Sequence, residues 1–151
     1  MYETLAALIA AVIAIIVCVF AIIKGGTAER WSGFVVIAAW LASPLVQVAD
    51  VHNPEWFILI IDAVVAIVFV LLLWRTKKLW LVVAAAFQLL TVASHTAMLI
   101  DLRITMNTYL MALGIWGVGV LGALLTGTML HLRSKRSRND ADGETVSSEG
   151  D

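Results

Sequence analysis

Five long apolar segments separated by short polar connections dominate this sequence and limit the folds open to it. A helix needs about 20 predominantly apolar residues to cross a bilayer core of roughly 30 Å. The segments that meet this requirement are 5–23, 31–49, 56–74, 79–100 and 109–130. In lipid the backbone N–H and C=O groups must be bonded within the segment, so such segments fold as helices. The sequence therefore predicts an all-α polytopic membrane protein with five transmembrane helices.

Composition supports the membrane assignment and removes several other classes of protein. Hydrophobic residues make up 62% of the chain and charged residues 14%, whereas a soluble globular domain is about half apolar and a quarter charged. These values exclude an ordinary cytoplasmic enzyme, a disordered protein and a nucleic-acid-binding protein. The single cysteine, Cys18, lies in an apolar segment, so the chain cannot form an intrachain disulfide.

Charged residues are concentrated at the C-terminal end of the chain. Nine of the 21 charged residues follow His131, and the last segment has almost nothing apolar to bury, which is typical of disorder. We therefore expect a five-helix transmembrane bundle over 1–132 and a disordered cytoplasmic tail over 133–151. The basic start of this tail is a topology determinant, and anionic lipid headgroups are its expected contact if it meets the bilayer.

Basic residues near the predicted span ends define an orientation, because cytoplasmic loops of membrane proteins are enriched in Lys and Arg. Five spans place on one side Lys24, Arg30, Arg75, Lys77, Lys78, Arg133, Lys135, Arg136 and Arg138. The opposite side carries Glu3, Asp50, Glu55, Asp101 and one basic residue, Arg103. This pattern predicts a protein of the cytoplasmic (inner) membrane. Its N-terminus is expected outside the cell membrane and its C-terminus on the cytoplasmic side. The tryptophans expected to anchor the span ends in the headgroup zone are Trp31, Trp56, Trp74 and Trp80.

Small residues at helical spacing predict where helices approach each other closely. Packing in lipid depends on small residues, because there is little hydrophobic drive between helices. The fifth span presents such a face in Gly119, Ala123 and Gly127, and the first span presents one in Ala7, Ala10, Ala14 and Cys18. These faces close either within the chain or against a second copy or another membrane subunit.

Asp62 and His95 are ionisable residues inside predicted spans, where each costs roughly 2.5 to 3.5 kcal/mol on insertion scales. Asp62 lies six residues after Trp56, about 9 Å along the helix. His95 lies six residues before Asp101 on a helix that runs the other way, so both side chains are at a similar depth. We therefore predict a contact in which a carboxylate and an imidazole share a proton or form an ion pair.

Further polar residues keep helical spacing with this pair. The second span carries Ser43, Gln47 and Asp50 on one face, and the fourth carries Gln88, Thr91 and His95 on one face. Pro44 removes one backbone hydrogen bond from the second span and is expected to kink it. Together these residues predict an outward-opening polar pocket between spans two, three and four, with a mouth formed by Asp50, His52 and Asp101.

Three interpretations of the pair remain open from sequence: a buried structural pair, a proton or ion site, and a cofactor or metal site. A membrane b-type haem takes two histidines from facing helices, but the partners available to His95 are His52 in a loop and His131 at the opposite end. Copper could use His95 with Met98 and Met106. The chain has no HExxH, GxSxG or Gly-rich phosphate loop, so we predict neither a catalytic site nor a resident cofactor.

The sequence favours a small accessory or scaffolding subunit that acts by helix packing in a homo-oligomer or a larger membrane complex. Its partners would be the lipid bilayer and other membrane subunits or further copies, and no nucleic acid. The alternative is a small channel or proton-coupled carrier that uses the Asp62/His95 site. A second alternative is an electron-transfer subunit with haem or copper at His95. The connections are too short to hold an extramembrane receptor or enzyme domain.

Overall fold

The fold is described from a computed structural model of the chain, which covers residues 2–49, 54–100 and 105–148. The helices are α1 (Tyr2–Lys24), α2 (Thr27–Ala49), α3 (Pro54–Thr76), α4 (Leu79–Ile100) and α5 (Met106–Ser148). The described residues contain no strand. The all-α prediction is confirmed, and each predicted apolar segment lies within one of these helices.

Two tight turns connect helices at one end of the bundle. Gly25 and Gly26 join α1 to α2, and a side chain at Gly25 would collide with the Ala21 carbonyl and with Glu29, so the turn requires glycine there. The turn from α3 to α4 begins at Lys77, which has a φ of 51° and donates its N–H to the Leu73 carbonyl at 2.7 Å. This left-handed residue ends α3 in the way that glycine usually does. We call this end of the bundle the lower end.

The helices form a closed ring in which each helix packs against its neighbours in sequence, α5 returns to α1, and α2 also meets α5. The last residues of α2 and α4 and the first residues of α3 and α5 define the upper end. Below the middle of the ring the side chains of Cys18, Phe69, Leu81 and Leu124 are fully buried. An apolar core therefore fills the lower half of the bundle.

The exterior of the bundle is apolar, which is the arrangement expected of helices that face lipid. Isoleucine, leucine and valine side chains along α3, such as Ile60 and Ile67, are more than half exposed. Three helical segments are long and apolar enough to cross a membrane: Trp56–Thr76, Leu79–Ile100 and Met106–Asn139. These segments indicate a membrane protein.

The predicted number of five spans is not confirmed. In the described part of α1 the apolar stretch Leu8–Lys24 is shorter than a full span, and α2 is not among the candidates. The lower part of α2 carries Glu29, Arg30 and Ser32, of which Glu29 and Ser32 are buried inside the bundle. Neither the count nor the orientation is established by the helices alone.

The predicted disordered tail is also not confirmed, because α5 continues as a helix through Ser148. The residues that extend it past His131 include Leu132, Arg133, Lys135 and Arg136, which are good helix formers. Side chains from Arg133 to Asn139 are exposed. This segment has few apolar side chains to pack against the bundle. A helix can still form there with its side chains in water.

The small-residue face of α5 is filled by aromatic side chains of α4. A Cβ atom at Gly119 would lie 2.6 Å from the Phe87 ring, and one at Gly127 would lie 2.5 Å from the Trp80 indole. Ala123 is buried between them. This face therefore closes within the chain.

The small-residue face of α1 is covered over only part of its length. Ala14 and Cys18 are buried, and a Cβ atom at Gly33 of α2 would lie 2.9 Å from the Cys18 carbonyl oxygen. Ala10 is exposed, so the described residues of the chain do not cover this part of the face. The close approach of α2 is at the level of Cys18, two turns further down the helix. The side chain of Ala7 lies outside the described residues.

Of the tryptophans predicted to anchor the span ends, Trp31, Trp56 and Trp74 are exposed. The prediction is wrong for Trp80, which is only 6% exposed. Its indole packs on Gly127 and donates a hydrogen bond to Glu29 at 3.1 Å. The position of Trp80 at a span end did not predict that its indole would be buried against Glu29, because Glu29 is on α2, far away in sequence.

Candidate functional site

A half-open cavity of about 340 Å³ lies in the upper half of the ring between α2, α3, α4 and α5. This volume is at the small end of the range for ligand pockets. Its lower part is apolar, with Val36, Val65 and Leu121 in the wall. The polar and aromatic residues of its wall are Trp40, Ser43, Asp62, Gln88, Thr91, His95 and Tyr109.

Asp62 of α3 and His95 of α4 are in contact in the wall of this pocket. His95 Nε2 lies 2.8 Å from Asp62 Oδ2, and the two side chains are 6% and 19% exposed respectively. Helices α3 and α4 run in opposite directions from a short turn, so residues at equal distance from that turn meet. The contact expected from the depth of the two residues is therefore present, and each of the two ionisable groups has its partner.

Gln88 fixes the second oxygen of the carboxylate. Its amide Nε2 donates to Asp62 Oδ1 at 2.9 Å and to the Asp62 backbone carbonyl at 3.3 Å. Gln88 is 6% exposed, so water cannot hydrogen-bond to its amide and Asp62 provides the acceptors instead. The carboxylate is thus held by one neighbour on each oxygen, which orients it toward the imidazole.

Tyr109 of α5 completes the chain from the other side of the imidazole. Its hydroxyl lies 2.6 Å from His95 Nδ1, and the two rings meet edge to face with centroids 5.6 Å apart. Tyr109 was not among the site residues predicted from the sequence. A signal was available, because Tyr109 begins the fifth predicted span and His95 lies near the end of the fourth, which puts both near the same end.

The hydrogen bonds of this chain can be complete with or without an added proton on His95. When His95 is neutral, Nε2–H donates to Asp62 and the Tyr109 hydroxyl donates to Nδ1. When His95 is protonated, Nδ1–H donates to the Tyr109 oxygen instead. A hydroxyl accepts or donates by rotating. The Tyr109 hydroxyl can therefore bond to Nδ1 either as donor or as acceptor.

Asp62 is the carboxylate that the described residues contribute to the pocket wall. Among the described residues of the wall the titratable groups are Asp62, His95 and Tyr109, and none is Lys or Arg. A net charge in a dry interior costs far more than a neutral pair. A negative charge on Asp62 is therefore most stable with one positive charge beside it in the same pocket.

The other predicted residues of the polar stripes divide into two groups. Ser43 and Thr91 line the pocket, and each donates its hydroxyl to a carbonyl of its own helix, at 2.9 Å to Ala39 and 3.1 Å to Phe87. Their oxygens remain acceptors. The side chain of Gln47 and the predicted mouth residues Asp50, His52 and Asp101 lie outside the described residues.

A second polar cluster, which the sequence analysis missed, lies at the lower end. Glu29 is fully buried, and Lys78 Nζ lies 2.7 and 3.0 Å from its two carboxylate oxygens. The Trp80 indole donates to the first of these oxygens at 3.1 Å. Glu29 is in the first turn of α2, where the helix dipole favours a carboxylate. The clue in the sequence was this acidic residue between Lys24 and Arg30.

His131 of α5 also reaches this lower cluster. A Cβ atom at Gly26 would lie 2.9 Å from the His131 ring and 3.0 Å from Glu29 Oε2, so both side chains press against the glycine. The cluster therefore joins α2, α5 and the α3–α4 turn. His131 and His95 lie at opposite ends of the bundle, which removes the haem pairing of these two histidines. The described residues contain no group of three or more potential metal ligands.

Comparison with protein families, with curated proteins and with solved structures finds no match to this chain. The geometry of the pocket is therefore the basis on which a function is assigned.

Proposed function

We propose that the chain is a proton-coupled carrier of the cytoplasmic membrane, with the Asp62–His95 pair as its proton-binding site. The single observation that carries this proposal is the hydrogen-bonded chain of Tyr109, His95, Asp62 and Gln88 in the wall of a cavity. A structural pair would need no cavity beside it. Intramembrane ionisable groups that face a cavity are typical of proton and substrate pathways.

The proposal includes five membrane crossings, with the upper end outside and the lower end inside. The supporting argument is the distribution of Lys and Arg, which collects at the lower turns. Lys24, Lys77 and Lys78 belong to these turns, and the basic start of the tail follows α5 on the same side. In this orientation the pocket receives protons and solute from outside.

A carrier is favoured over an open channel because the lower half of the bundle is filled. Phe69, Leu81 and Leu124 are buried below the pocket, and the Glu29–Lys78 ion pair connects helices at the lower end. Passage across the membrane would require these contacts to rearrange. Carriers work by such alternating access around a fixed site.

The accessory-subunit interpretation is supported by the short connections, the absence of a catalytic motif and the glycine face of α5. Phe87 and Trp80 fill that face from within the chain, so the face does not favour a partner over the chain itself.

For the electron-transfer interpretation, His131 is at the other end of the bundle from His95, and the other candidate haem partner, His52, lies outside the described residues. The copper alternative, His95 with Met98 and Met106, stays an untested prediction.

Sealed liposomes containing the full-length protein, with a pH dye outside and a second dye trapped inside, test this function. An external acid pulse should produce uptake of about one proton per outward-facing chain by the wild type. Asp62→Asn should abolish this uptake, and His95→Gln should shift the pH at which it occurs. Glu29→Gln, which removes another buried carboxyl group, is the matched control and should retain it. Uptake that is equal in wild type and Asp62→Asn refutes the proposal, and continuous acidification inside identifies a channel instead.

A further inference from the structure

We propose that the solute of this pocket is a small organic cation, and that it exchanges one for one with the proton held by Asp62 and His95. This inference rests on the proposed proton function and names the class of ligand. It is carried by the charge and the aromatic residues of the pocket wall.

The charge of the described wall residues favours a cation over an anion. Asp62 is the acidic residue among the described residues of the wall, which include neither Lys nor Arg. An anion would add a second negative charge beside the carboxylate. A cation neutralises the negative charge of the Asp62 carboxylate after the shared proton leaves.

The balance of charge then dictates exchange. With the proton bound, the pair is neutral. When a monovalent cation binds beside Asp62, the shared proton leaves to water at the upper end, His95 is neutral and the site is again neutral. Tyr109 donates to Nδ1 in this second state, at the 2.6 Å separation already present. Binding of a cation without loss of the proton would leave a net charge in a low-dielectric site, which is costly.

The aromatic residues identify the cation as organic. Trp40 of α2 and Tyr109 of α5 line the same cavity as Asp62 of α3, so aromatic and acidic side chains approach the ligand from different helices. Indole and phenol faces attract ammonium groups through the ring quadrupole. A bare metal ion would instead need several oxygen or nitrogen ligands, and the described residues hold no cluster of three such acidic, histidine or cysteine ligands.

The remaining polar groups describe the rest of the ligand. The oxygens of Ser43 and Thr91 act as acceptors, because their protons are donated to their own helices. Val36, Val65 and Leu121 form the apolar floor. An ammonium compound with a short apolar body and a hydroxyl or amino group fits this pocket. Its apolar body can pack on the floor, and its hydroxyl or amino group can donate to the oxygens of Ser43 and Thr91.

The test compares choline with 3,3-dimethylbutan-1-ol, its neutral isostere, on the wild-type protein in lipid nanodiscs. Choline carries a permanent charge and cannot release a proton, so any proton that a pH dye detects comes from the protein. Calorimetry should show that choline binds at least about tenfold more tightly than the isostere. Choline binding should release about one proton and should weaken roughly tenfold per unit decrease in pH where the site is protonated.

Variants locate the binding site. Asp62→Asn should abolish choline binding and the release of the proton, and Trp40→Leu should weaken binding about tenfold. Thr96→Ala is the matched control, because Thr96 is exposed beside His95 and bonds only to its own helix at 2.8 Å.

Equal affinity for choline and the isostere overturns the cation inference, and so does binding of choline without release of a proton. The proposed function stands in either case if the acid pulse still shows uptake that depends on Asp62. Absence of that uptake removes the proposed function and the exchange together. Since the ligand comparison uses the wild type alone, a variant that fails to fold does not affect it.

Discussion

Replacement of Lys78 by methionine should strongly destabilise the bundle, because it leaves the Glu29 carboxylate buried without a counter-ion. The Glu29 side chain is 1% exposed, and both its oxygens lie within 3.0 Å of Lys78 Nζ. Removal of one partner of a buried pair costs about 3–5 kcal/mol. Lys78 is 33% exposed, so water can reach its position, and the Trp80 donor remains. We therefore expect the lower end of that range, about 3 kcal/mol.

The opposite change should cost much less. Glu29→Gln removes the buried charge and leaves Lys78, which can extend into water. An ion pair with a solvated partner contributes about 1 kcal/mol or less. The double variant should be more stable than Lys78→Met alone, because the charge that was left unpaired is then absent. This asymmetry between the two partners distinguishes a buried carboxylate from an ordinary surface ion pair.

The assay is reversible unfolding of the full-length protein in mixed micelles, followed by tryptophan fluorescence, for the two single variants and the double variant. Arg75→Met is the matched control, because Arg75 is exposed near the same turn and carries the same charge. This control should change stability by no more than about 0.5 kcal/mol. A Lys78→Met variant no less stable than Arg75→Met would contradict this prediction, and so would a larger loss of stability from Glu29→Gln than from Lys78→Met.

Three further predictions concern individual positions. Gly127→Ala should destabilise the bundle by about 1–3 kcal/mol, because the new methyl group overlaps the Trp80 indole ring. Gly122 faces open space, so Gly122→Ala should be neutral or should stabilise the bundle by up to about 1 kcal/mol. Thermal unfolding of the two variants checks this difference. Lys77→Gly should stabilise the protein by about 1 kcal/mol by relieving its positive φ, and an unchanged unfolding midpoint would contradict this. Tyr109→Phe should cost about 1 kcal/mol and should shift the ¹⁵N resonance of His95 Nδ1; an unshifted resonance would show that the hydroxyl does not bond there.

The sequence was sufficient to predict the Asp62–His95 contact, because helix rise and a short turn fix the depth of each residue. It also predicted the pocket residues Ser43, Gln88 and Thr91, since their spacing defines one face of a helix. The role of Tyr109 depends on how α5 packs beside α4, and this is decided by the volumes of many side chains together.

The lower cluster was harder to predict for a different reason. Glu29 stands between basic residues, a pattern typical of a solvated loop, yet α2 begins at Thr27 and carries Glu29 into the bundle. The sequence also did not decide whether the small-residue face of α5 packs against a partner or against the chain's own helices. The outcome depended on whether aromatic side chains such as Phe87 would fill the groove at Gly119.

Proton exchange at the Asp62–His95 pair in the membrane can be observed directly. Infrared difference spectroscopy of the full-length protein in lipid, between acidic and alkaline pH, detects it by the C=O and carboxylate stretches of Asp62 and by the ring modes of His95. A pH-dependent band should appear that Asp62→Asn eliminates, that His95→Gln shifts, and that Glu29→Gln leaves in place. A difference spectrum that is identical in the wild type and Asp62→Asn would contradict this prediction.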